Sequence, residues 1–404
     1  MTDPHQAGAA VRQADATLLA AALQASRQDT LATFAACESA LQGLAVPQRE
    51  SLNPPLWELG HIGWFQEYWI ARYPQRAAGV DADPAAARRK GVRARSDALY
   101  DSSQVAHATR WSLPLPDADA TRADLASQLD ATLTLLRDAD GDDASLYFFR
   151  LALLHEDMHH EAALYMARSL GLAIHDPRWQ PACLSDARID LALDAASWSL
   201  GGGSEGFAFD NELAAHTLDL PATRIDSRVL NWAEFLPFVE SGAYGQLQWW
   251  SEAGRAWVAA ERPAAPRYLR CLADGWQQQR HGQWHALDPM QPACHLTAFE
   301  AEAWCRWAGR RLPTEAQWER AAIVRPGEFT WSQVWEWTAS PFEPYPGFVP
   351  HPYRDYSAPW FGSRRVLRGA SFMTQPRLQH PRYRNFFQPH RSDVPAGFRT
   401  CALR

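Results

Sequence analysis

Between Ser145 and Gly171 the chain reads SLYFFRLALLHEDMHHEAALYMARSLG, with no proline and no glycine before the last position. A serine stands where a helix cap belongs and a glycine where a helix ends, so one long helix is expected from Ser145 to Leu170. Its middle, L-L-H-E-D-M-H-H-E-A from Leu153 to Ala162, sets His155 and His159 four residues apart on one face. An i,i+4 imidazole pair can close on one cation at about 2.0–2.2 Å from each ring nitrogen. The string also contains H-E-x-x-H, in which Glu156 would be the general base of a zinc hydrolase. Nothing downstream extends it to H-E-x-x-H-x-x-G-x-x-H. The readings left open are a zinc hydrolase, a polar helix face without metal, and a metal site completed from another helix.

Three more helices are expected upstream. Residues 14–44 are Ala- and Leu-rich with no proline until Pro47. A second helix starts after Asn53-Pro54-Pro55, carries His61, and runs to Pro74. Residues 76–98 read as a surface excursion and 99–116 as a loop broken by Pro114 and Pro116. A third helix spans Asp119 to Arg137. Four helices make a four-helix bundle, whose cofactor sites are built from facing helices, so His61 can face His155 and His159. Three neutral imidazoles leave positions open on a metal for a substrate and a small molecule, and suit Fe, Zn or Cu about equally.

At 404 residues the chain exceeds one ordinary core, so two domains are expected, 1–180 and 181–404. A net charge of −7 argues against a nucleic-acid partner. No apolar run long enough for a membrane span and no basic leader are present, so a cytoplasmic protein is expected. The six cysteines form no C-x-x-C pair and are expected to be packing residues. Most of the 19 tryptophans follow Gly171, where short segments are punctuated by Gly, Pro, Asn and Asp. That half is expected to be an irregular domain with aromatic anchors, its one periodic helix near TAFEAEAWCRWAG.

Particular strings then point to a family. SLGGGSEGFAFDNELAAHTLDL, HLTAFEAEAWCRWAGRRLPTEAQWERAA, VWEWTASPF, VLRGASF and PAGFRTCALR resemble the formylglycine-generating-enzyme fold, a C-type-lectin-like module, from about Ala196 to Arg404. H-x-x-x-H-x-E at His155, His159 and Glu161 resembles a DinB-like bundle. The pairing resembles the ergothioneine sulfoxide synthases, non-haem iron enzymes that join a sulfur donor to hercynine. The resemblance implies an α+β chain, a DinB-like four-helix bundle followed by a C-type-lectin-like domain. It also implies Fe(II) on His61, His155 and His159, with O2 as co-substrate. The segment RGASFMTQPRLQHPRYRNFF lacks the cysteine pair of the protein-modifying members, so their activity is not expected.

Departures from the family pattern bear on the donor. Two arginines that hold the carboxylates of gamma-glutamylcysteine fall on His107 and Arg110, and histidine has no planar fork for a carboxylate. The family's Asn-Trp-Asp reads Asn385-Phe386-Phe387, a glutamine before the last ligand is Met158, and a tyrosine pair of the cysteine-using branch is Ser102-Ser103. These changes imply a less ionic donor and point to the branch that couples hercynine to a seleno-sugar, giving selenoneine. Hercynine sulfoxide formation from a thiol or thio-sugar donor is the alternative, and a non-catalytic binding module a further one. The proton-donating tyrosine is expected at Tyr353, with Tyr345 and Tyr356 as alternatives. Phe386, Phe387 and nearby tryptophans are expected to face the trimethylammonium of hercynine, with Asn385 beside them and Arg382 or Arg384 on its carboxylate.

Overall fold

The computed structural model describes residues 4–203 and 205–403. Six helices come first: α1 (Pro4–Arg12), α2 (Ala16–Ala40), α3 (Pro55–Trp69), the short α4 (Asp97–Tyr100), α5 (Ala118–Arg137) and α6 (Asp143–Ser169). The long helix forms, but its cap is Asp142, which accepts from the amide of Ser145, rather than Ser145 itself. An ionised carboxylate there meets both the free amides and the positive end of the helix dipole. The sequence does not announce α1. Nine residues are too few for a helix to hold itself in water. The close fit of Gly8 onto the Gln379 carbonyl, where a Cβ would lie 1.7 Å away, ties α1 to the other half.

Residues 76–98 are exposed over most of their length, as expected of a surface excursion, but are pinned to the helices at a few points. Gly79 is buried against Ala144 of α6, and the Arg88 guanidinium lies over the rings of Tyr68, Trp69 and Tyr73. Arg72 clamps the segment's end through Asp97, at 2.6 Å. Nor is 99–116 only a loop, since α4 delivers the Tyr100 ring against Gly60 of α3. A Cβ at Gly60 would sit 2.3 Å from that ring, which is why the turn before His61 carries a glycine.

The described residues of the second half hold α7 (Trp232–Glu240), α8 (Glu252–Glu261), α9 (Ala298–Trp307) and α10 (Glu315–Val324) among thirteen short strands. Only α9 was expected. All four are nine or ten residues long, and the sequence shows a helical period only in α9. The strands used below are β9 (Trp335–Pro341), β10 (Arg365–Gly369), β11 (Asn385–Phe387) and β12 (Ala396–Gly397), in the sheet order β11-β10-β9-β12. β12 runs parallel to β9 and the other pairings are antiparallel.

The distinctive strings of this half turn out to be structural. In R-L-P-T-E-A-Q-W-E, Thr314 and Gln317 form the capping box of α10. Glu315 and Glu319 are buried on the Arg368 guanidinium at 3.0 and 3.1 Å. Trp318 donates to Glu336 of V-W-E-W, which also accepts from Arg399 of G-F-R-T. The same strings reach across to α6: Trp335, Ser371 and Thr374 all donate to one oxygen of Glu161, at 2.7, 2.7 and 2.8 Å. No described helix is long and apolar enough to cross a membrane. All six cysteines are free, four of them buried.

Candidate metal centre

His61 comes from α3 and His155 and His159 from α6, and one ligand atom from each lies within 4.8 Å of the others. His61 Nδ1 stands 2.8 Å from the Tyr100 carbonyl. A carbonyl only accepts, so Nδ1 carries the proton and the Nε2 lone pair is free. His159 Nδ1 stands 2.5 Å from Glu58 Oε2 and is oriented by that carboxylate. Burial alone would raise the Glu58 pKa, but the neighbouring His159 and its hydrogen bond hold the carboxyl down to about 2. The His155 ring lies flat on Phe65, centroids 3.5 Å apart. Its Nε2 is buried without a hydrogen-bond partner.

Burial and the adjacent His159 lower the His61 pKa to about 3, and burial pushes that of His155 well below the usual range. Both rings therefore remain neutral at pH 7 and keep the lone pairs that a metal takes. A carboxylate and a backbone carbonyl behind two of the rings match the outer partners that orient metal-bound histidines. The unpartnered Nε2 of His155 would be costly to bury unless it met a cation or a donor. This donor set fits a divalent transition metal with open positions.

His155 and His159 line a cavity of about 1260 Å³ between α6 and the β9–β11 region, while His61 is buried just behind that lining. Of the residues expected in the site, His107, Arg110, Met158, Asn385, Phe386, Phe387, Tyr353 and Tyr356 all line it. Their groups are variously committed. A ring nitrogen of His107 lies 2.8 Å from the Leu52 carbonyl, while Arg110 donates to Asn53 and stacks on Trp57. Phe386 stacks on Phe342, Asn385 Oδ1 accepts from the amide of Phe386, and Met158 Sδ accepts from the Tyr383 hydroxyl. Tyr356 donates to Tyr383. The Tyr353 ring meets that of His155 edge-on at 6.1 Å, and its hydroxyl has no protein partner among the described residues.

Three expectations are corrected. Tyr345 does not line the cavity; its hydroxyl donates to Glu315 deep in the second half. Arg384 is 1% exposed and fully used by Glu315 and two carbonyls, so it cannot meet a substrate carboxylate. Arg382 also lies outside the lining, nearest to Glu319 at 3.9 Å. Glu156, the base required by a hydrolase, is 1% exposed and locked by Arg27 at 2.8 and 3.1 Å on another face of α6.

Sequence reasoning missed Glu58 and the cavity role of Glu161. Glu58 stands three residues before His61, a helical neighbour on the same stripe, so its signal was available. The part played by Phe65 and the Tyr100 carbonyl depends on packing and left no local mark.

The description "Sulfatase-modifying factor enzyme 1-like domain" matches residues 191–333 and 330–403. A hercynine oxygenase of Mycobacterium tuberculosis is 30% identical over 409 residues, covering 86% of this chain and 90% of its own length. A hercynine oxygenase of Mycolicibacterium smegmatis is 32% identical over 406 residues, with 86% and 90% covered. A formylglycine-generating enzyme of Streptomyces coelicolor is 26% identical, covering 53% of this chain and 89% of its own.

Proposed function

The chain belongs to the family of the hercynine oxygenases, built on a sulfatase-modifying factor enzyme 1-like domain, and from this we propose that it oxidises hercynine at a mononuclear Fe(II) centre with O2. We read the helical half as a DinB-like bundle, residues 1–180, and residues 181–404 as the lectin-like domain. What carries the reading is the trio of clustered imidazoles, two of them in the cavity wall and one of these with a buried and unpartnered Nε2. His61, His155 and His159 would hold the metal. When bound, it supplies one-electron chemistry and open positions that gather the reactants.

The reaction proposed is C–Se bond formation at the ring carbon between hercynine's two nitrogens, with a seleno-sugar as donor. The balance is one C–H, one Se–H and one O2 giving a C–Se bond, an oxygen atom on selenium, and water. Four electrons leave carbon and selenium and reduce O2. Tyr353 would be the proton donor, a role supported by its place in the cavity lining and its ring contact with His155. The trimethylammonium is drawn to the faces of Phe386, Phe387 and Trp335 and to the carboxylate of Glu161, all in the lining.

The remaining wall offers hydroxyls to a hydroxylated donor, alongside the guanidinium groups of Arg110, Arg267 and Arg364. Ser51, Ser102 and Ser103 line it, beside the acidic Glu50 and Asp355. Arg391, also in the wall, is neutralised by Asp393 at 2.5 Å. A thiol donor, giving the hercynine sulfoxide, is the second reading; it is favoured by Arg110, which lines the same cavity without a carboxylate partner among the described residues. The hydrolase reading is set aside on the Arg27–Glu156 pair.

The test is to load the chain with Fe(II) anaerobically, admit air, and supply hercynine with a 1-seleno-sugar, a 1-thio-sugar or gamma-glutamylcysteine. The selenium adduct is expected. Product from the dipeptide alone overturns the donor, and absence of O2 uptake with every donor overturns the reaction class.

A further inference from the structure

A second cavity, of about 40 Å³, lies behind the histidine cluster between α2, α3 and α6. Its wall is largely apolar, formed by Phe34, Leu59, Ile62, Ala163, Met166 and Ala167, and no residue lining it is exposed. On α6 the lining residues His159, Ala163, Met166, Ala167 and Leu170 fall at helical spacing on one stripe. His159 lines both cavities and is the partition between them.

The polar side chains of this wall are mostly spent. Asn53 donates to Glu58 and accepts from Arg110, Glu58 also holds His159, and His160 meets Thr33 and Gln375. Thr30 Oγ1 alone is a buried oxygen of the wall without a partner. A buried water needs two to four partners, whereas closed apolar cavities stay dry and take up small nonpolar solutes. The volume exceeds what one small molecule needs and is far below that of hercynine or any donor.

We propose that this cavity is a dioxygen-binding site that serves the metal centre from behind His159. The proposal rests on the oxygen-using reading above and adds to it a separate place for the gas. Two organic substrates must share the main cavity, and its lining of charged and hydroxylated groups favours water over an apolar diatomic. A mainly apolar compartment on the far side of one imidazole would keep O2 near the centre while the main cavity is filled.

The experiment is xenon pressurisation of crystals of the full chain, together with O2-dependent kinetics of Ala167→Leu. Xenon is expected between Phe34, Ile62 and Ala167 in the wild type and absent from the variant. The variant should raise KM for O2 about fivefold and leave KM for hercynine unchanged. Ala163→Leu makes the same test if Ala167→Leu fails to fold. Ordered water in place of xenon, or an unchanged KM for O2 in a filled cavity, overturns the proposal in an enzyme that still turns over. A wild type that consumes no O2 with any donor overturns the enzyme reading, and this proposal with it.

Discussion

Each of the three imidazoles is held by a different kind of neighbour, so substitutions behind them should have separable effects. Glu58 orients His159 through a charged hydrogen bond, and Glu58→Gln should weaken metal affinity by about 10- to 100-fold while leaving the fold intact. Chelator competition measures this; an unchanged affinity would show that Glu58 does not act on the centre. The tyrosines separate in the same way. Tyr353→Phe should lower kcat with little change in KM for hercynine, if this cavity-lining tyrosine gives the proton as proposed. Tyr345→Phe should instead cost about 1–3 kcal/mol of stability, by removing a buried hydrogen bond to Glu315, and leave kcat alone. Reversed results would exchange their roles. Burial also gives the metal-free protein a pH dependence. His61 and His160, with pKa values lowered to about 3 and about 4, and His155, lowered well below its usual range by burial, refuse protons that the unfolded chain accepts below 6.5. These groups therefore leave stability untouched above pH 6.5 and erode it as pH falls toward 4. Asp210, raised to about 6 by burial, opposes them over part of that window. The metal-free Tm is expected to drop by roughly 5 °C or more between pH 7.5 and 5.5, and a flat profile would contradict the burial of these rings.

At the scale of elements, what the sequence made legible follows from chain distance. His155 and His159 share a helix, so their common face could be read from spacing alone. The meeting with His61 required two helices to face each other, which the bundle pattern and the family resemblance both suggested. The Tyr100 carbonyl behind His61 and the Phe65 ring beneath His155 arise from tertiary packing across α3, α4 and α6, and no local pattern encodes them. The short helices α1, α7, α8 and α10 escaped for a related reason: their stability comes from what they pack on. Of the loop 344–357, Tyr353 and Tyr356 line the cavity and Tyr345 does not, and which hydroxyls are already spent depends on packing that no local pattern encodes. The H-E-x-x-H string illustrates the opposite error, a motif whose glutamate serves another purpose. Arg27→Met should strand the Glu156 charge and cost about 3–5 kcal/mol, whereas Arg27→Met with Glu156→Met should recover most of that loss. A hydrolase would lose all activity in the double variant with its stability restored.

Over the whole molecule, α6 serves as a common beam. One side carries His155 and His159, another side is tied to α2 through Arg27–Glu156 and Ser26–Asp157, and its Asp157 and Glu161 take donors from Arg377, Trp335, Ser371 and Thr374 of the second half. These contacts fix the sulfatase-modifying factor enzyme 1-like half onto the helix that presents two of the imidazoles, and the cavity forms where the two meet. The account stands on those imidazoles holding one metal. Anomalous diffraction at the iron edge, from crystals grown anaerobically with Fe(II), tests this most directly. The expected result is a single peak about 2.0–2.2 Å from the Nε2 atoms of His61, His155 and His159. Iron located elsewhere, or bound by fewer than all three rings, would contradict it.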